Sequence, residues 1–97
     1  MQQIKGIDIA LRVGQLISSG IDLEEVLYSV VKENIQFLPK HLREDLKKIS
    51  TILHGVMFYV GEYSGKHLGY EIHDIVLKRL LPKRKTERYI QSLFEEI

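Results

Sequence analysis

From Ile4 to Ser19 the polar residues Lys5, Asp8, Arg12, Gln15 and Ser19 fall on one narrow helical stripe. Ile4, Ile7, Ile9, Ala10, Leu11, Val13, Leu16 and Ile17 cover the rest of the circumference, which predicts a helix at the centre of the fold. Asp8 precedes Arg12 by four residues, the favourable order for an exposed ion pair. Ser19-Gly20 then supplies a stop, because glycine takes up the left-handed conformation that closes a helix. A second helix is expected at once, with Asp22 as cap, Glu25 completing a capping box, and Ile21 with Val26 as a hydrophobic staple. Its inner face reads Leu23, Val26, Leu27, Val30, Asn34 and Phe37. Pro39 pushes Leu38 out of helical geometry and ends it.

The most regular pattern follows. Leu42, Leu46, Ile49, Leu53, Val56, Val60 and Tyr63 alternate steps of four and three, the seam of a long bundle helix. Carried onward, that register would bury His67, Tyr70 and Asp74, whereas the apolar positions are Leu68, Ile72, Ile75 and Val76. The slip predicts a break near Ser64-Gly65-Lys66 and a separate helix from about His67 to Leu81, stopped by Pro82. Thr86 is expected to cap a last helix whose Tyr89, Ile90, Leu93, Phe94 and Ile97 share a face. No stretch alternates as a half-buried strand does. The expected fold is a single all-α domain over 1–97, a four- or five-helix bundle, mostly antiparallel.

Composition narrows the function more than the fold. At 97 residues the chain is too short for a barrel enzyme or a doubly wound nucleotide fold, and oligomerisation would help so small a core. With no cysteine there is no disulfide framework, thiolate zinc site or cysteine nucleophile, and a cytoplasmic location is the expectation. The first residues meet charge too early for a secretory signal, and the longest apolar run, Val56 to Val60, is far short of the ~18–20 residues a membrane span needs. Net charge is +1, but residues 76–97 hold six bases against three acids.

Candidate chemistry is sparse. No two of His41, His54, His67 and His73 are spaced to share a zinc ion on one helix, and His67, Glu71 and Asp74 with Lys78 read as a solvated face. His73-Asp74 resembles the paired ligands of metal-dependent phosphohydrolases, but no aspartate follows to complete the set. Ser50 and His54 lie one helical turn apart, yet position 58 is Phe, so no acid orients the imidazole as a triad requires. His54 with Gly65 and Leu68 is similar to the spacing in histidine-phosphotransfer domains, but Met57 and Phe58 stand where a lysine and a small residue are needed. No cofactor, no metal and no enzymatic activity are expected.

Gly61, Gly65 and Gly69 recur every four residues, a spacing that lets another backbone approach a helix closely, with Tyr59, Tyr63 and Tyr70 beside them. The same spacing also suits a helix break. This stretch, about residues 57–70, resembles the glycine-spaced, tyrosine-rich helix of the vinyl-reductase-type small-ligand sensor domains. The resemblance implies a helix that walls an apolar pocket and takes part in dimerisation, and it would implicate Tyr59, Gly61, Tyr63, Gly65, Gly69 and Tyr70.

The basic segment Lys78, Arg79, Lys83, Arg84, Lys85 and Arg88 is the strongest electrostatic feature and suits nucleic acid or an acidic partner. The acidic Asp22, Glu24 and Glu25 would repel DNA from the second helix, and instead suit the basic segment of a neighbouring subunit. The leading expectation is a non-enzymatic interaction module, a homodimer that also binds a protein partner. The alternatives are a nucleic-acid-binding accessory protein using 78–88 and an apolar-ligand sensor.

Overall fold

The computed structural model describes residues 6–82 together with residues 88, 91, 92, 94 and 95. Within residues 6–82 four α-helices follow one another: α1 (Gly6–Ser18), α2 (Leu23–Ile35), α3 (Leu46–Ser64) and α4 (Tyr70–Leu80), with a 3-10 turn at Lys40–Leu42. Among the described residues there is no strand, and the expected all-α bundle is what forms. No described helix is long and apolar enough to cross a membrane.

Local chemistry fixes the boundaries. Gly20 sits at φ +81° after α1 and donates its N–H to the Ile17 carbonyl at 3.0 Å. Gly65 closes α3 at φ +68°, its N–H reaching the Gly61 carbonyl at 2.9 Å. Both are left-handed positions that other residues adopt at a cost. The predicted break at Ser64-Gly65-Lys66 is therefore real. At its other end α3 begins later than the Leu42 seam implied, because the Asp45 carboxylate accepts the Lys48 N–H at 2.9 Å and caps a fresh start.

Ile49, Leu53, Val56 and Val60 of that seam are fully buried, against Val13 of α1, Val26, Leu27, Val30 and Val31 of α2, and Val76 and Leu77 of α4. Each such side chain contributes about 1.5–3 kcal/mol by leaving water. Tyr63, the last of the seam, is half exposed. α2 and α3 each pack against every other helix, and α1 and α4 flank them. α1 is therefore not central as its pattern implied: its neighbours cover Ile9, Val13 and Leu16 and leave Ile7 and Leu11 in solvent.

Other expectations give way to longer-range partners. Arg12 does not pair with Asp8; its Nη2 and Nε reach the Glu33 carboxylate of α2, the former at 2.8 Å. Asp22 occupies the cap position of α2 but makes no side-chain cap bond, and Glu25 turns instead to Arg79 of α4 at 2.6 Å. Phe37 lies beyond the end of α2, which stops at Ile35, and is exposed. On α4 the inner face carries His73, Val76 and Leu77, while the expected core residue Ile75 points outward. The predicted cap Thr86 and most of the last apolar face lie outside the described residues; Phe94 is helical and exposed.

Candidate functional site

A serine inside a helix usually returns its hydroxyl to the carbonyl one turn back. Ser50, in the first half of α3, turns instead toward α4, where its Oγ lies 3.0 Å from His73 Nε2. His73 Nδ1 is 3.0 Å from Asp74 Oδ1. A carboxylate only accepts, so in the neutral ring Nδ1 carries the proton and Nε2 accepts from the Ser50 hydroxyl. The His54 ring, one turn beyond Ser50, stacks on His73 with centroids 4.4 Å apart and planes 20° from parallel. Partial burial, and then the nearby His73, push the His54 pKa below its ordinary value.

Connectivity alone makes Ser50, His73 and Asp74 a serine–histidine–aspartate relay. Its serine and histidine are closed off from solvent: Ser50 is 5% exposed and His73 4%. The relay gives the buried Ser50 hydroxyl and both His73 ring nitrogens partners, and ties α4 to α3. Beside it a cleft of about 250 Å³ is lined by His54, Met57, His67, Leu68, Gly69 and Tyr70. An adjoining hollow of about 320 Å³ shares the first four of these and adds Phe58, Gly61, Glu62 and Lys66. Among the described residues no group of three or more His, Asp or Glu side chains is placed to hold a metal ion.

A second surface lies where α1 packs on α3. The Tyr59 hydroxyl rests against Gly6, and the Tyr63 ring lies where a Cβ on Gly14 would come within 3.2 Å of Cε1. Phe58 meets Tyr59 edge-on at 5.7 Å. Around these tyrosines large apolar side chains stand in solvent: Ile7 is 69% exposed, Leu11 58%, Phe58 63% and Tyr63 51%.

The six residues of the expected interaction face therefore divide. Tyr59 and Tyr63 face α1, whereas Gly61, Gly69 and the exposed Tyr70 border the histidine cleft. Gly65 is a helix cap, so the three glycines share no continuous helical groove. The glycines that admit close packing are Gly6 and Gly14 of α1, overlooked because each stands alone in the apolar pattern. His73, read in the sequence only as a candidate ligand paired with Asp74, is buried, and its spacing from Val76 and Leu77 places it on their stripe.

The basic segment is also divided. Arg79 is engaged by Glu25 at 2.6 Å and Glu24 at 3.9 Å, with its guanidinium 4.1 Å from the Tyr28 ring centre. The hydrogen bond it donates to Glu25 raises its pKa further. Lys78 and Arg88 are exposed, and Lys83, Arg84 and Lys85 lie outside the described residues. The acidic start of α2 thus meets a base of its own chain. No known protein family, curated protein or solved structure matches this chain.

Proposed function

We propose that this chain is a non-enzymatic helical interaction module that works as a homodimer in the cytoplasm and presents its α1–α3 surface to a second copy. The observation that carries the reading is the exposure of Ile7, Leu11, Phe58 and Tyr63 on two adjoining helices. Large apolar side chains gathered on one surface mark association sites in small proteins, whereas single exposed ones do not. Closing Ser50 and His73 off from solvent supports association over catalysis.

Light scattering across a concentration series tests it. The expected mass is twice the 11.3 kDa of one chain, and the double variant Leu11→Glu, Phe58→Glu is expected to run as a folded monomer. A wild-type chain that stays monomeric at high micromolar concentration removes the proposal. The cleft beside His54 favours a second reading, a small apolar ligand, because Met57 and Leu68 give it an apolar floor. Native mass spectrometry of the freshly purified chain decides that reading: an added small-molecule mass supports it, and a bare chain counts against it.

A further inference from the structure

Two polar clasps of different chemistry hold α4 to the other helices. Toward α2, Arg79 grips Glu25 and Glu24 and lies over Tyr28. Toward α3, Ser50 and the stacked His54 grip His73. Only the second clasp contains imidazoles, the side-chain type that gains a charge in mildly acid solution.

The stack tolerates its charge states unequally. With both rings neutral it is an ordinary aromatic contact. With one ring charged, the other offers its π face to the cation. With both charged, two positive groups 4.4 Å apart repel in a partly desolvated setting. Asp74 Oδ1, 3.0 Å from His73 Nδ1, forms an ion pair with a charged His73 and so offsets the first charge; it is not bonded to His54, which carries the second. With His54, the cleft and the adjoining hollow are lined by His67, Tyr70, Lys66 and the Glu62 carboxylate. From α2, Glu24 and Glu25 are taken up by Arg79.

We propose that the His54–His73 stack is an acid-sensitive latch, which holds α4 on α3 while the pair carries at most one positive charge and releases α4 when both rings are charged. Burial first, and then the charge of the nearby His73, lower the proton affinity of His54, the direction such coupling requires. Release leaves α1, α2 and α3 packed on one another and uncovers the apolar residues Val76 and Leu77 of α4 and Met57 of α3. The latch therefore turns a fall in pH into new apolar surface.

Amide hydrogen exchange of the full chain, corrected for intrinsic rates and followed helix by helix, tests it. Between about pH 7.5 and about pH 5, opening of α4 is expected to rise about tenfold while α1, α2 and α3 change by less than about twofold. His54 is exposed, so His54→Gln is expected to fold normally, which circular dichroism verifies, and to leave α4 opening independent of pH over the same range. Three results overturn the latch: wild-type α4 protection that does not change with pH, an acid response that persists in His54→Gln, or simultaneous opening of all four helices.

Discussion

An imidazole can be sealed between helices only when both ring nitrogens are satisfied, and His73 meets that condition through one residue on α3 and its own neighbour on α4. Ser50→Ala removes the α3 partner and leaves a buried nitrogen bare, so urea denaturation at neutral pH should register a loss of about 1–3 kcal/mol. Thr51→Ala, one residue along but on the exposed side with its hydroxyl on the Lys47 carbonyl, should change stability by less than about 0.5 kcal/mol. His54 supplies a pH signature with a definite sign. Its pKa in the folded chain lies below the ordinary 6.5, so the folded state binds this proton less readily than the unfolded one. Above that value His54 is neutral in both states and contributes no penalty; as pH falls through 6.5 toward the lower folded value, stability declines. Urea midpoints measured down through this window should fall for the wild type and fall less for His54→Gln. The pairing behind both predictions was not legible in the sequence, because Ser50 and His73 are 23 residues apart and meet only through the rotation of α4 on α3.

Elements were more legible, since caps, glycines and the seam of α3 act within a few residues. The Ser64-Gly65-Lys66 break followed from a one-residue slip of the apolar register, and Gly65 supplies its stereochemistry at φ +68°. Gly65→Ala should therefore lower stability by about 1–2 kcal/mol, the penalty of a Cβ in left-handed backbone. Gly69 caps the start of α4 at φ −92° with open space around it, so Gly69→Ala should cost less than Gly65→Ala. Gly55 lies inside α3 with nothing near its missing Cβ, and Gly55→Ala should stabilise by about 0.5–1 kcal/mol. Thermal melts of the three variants check the order. The capping box at Asp22 and the Asp8 to Arg12 pair misread the sequence for a shared reason. Each assumed that a charged side chain serves its own helix, whereas Glu25 and Arg12 reach across to Arg79 and Glu33. α1 misled in a related way: a nearly all-apolar circumference says that much surface wants covering, not that this chain covers it.

For the whole molecule, the question is which force brings two copies together. The charge pattern suggested that acidic residues at the start of α2 meet the basic segment of a neighbour. Glu24 and Glu25 instead hold Arg79 of their own chain, which leaves that route with less to offer. The apolar route through Ile7, Leu11, Phe58 and Tyr63 has no such internal partner for its exposed area. Salt separates the two. Screening shortens from about 10 Å at about 0.1 M to about 3 Å at about 1 M, so an assembly held by charge should weaken across that range. One held by apolar burial should persist or tighten, and its formation should carry a negative heat-capacity change. Sedimentation equilibrium at the two salt concentrations should give dimer constants that agree within about threefold, or favour the higher salt. A marked rise in dissociation at high salt would instead point to Lys78 and Arg88, the exposed bases described at that end of the chain, as the contact.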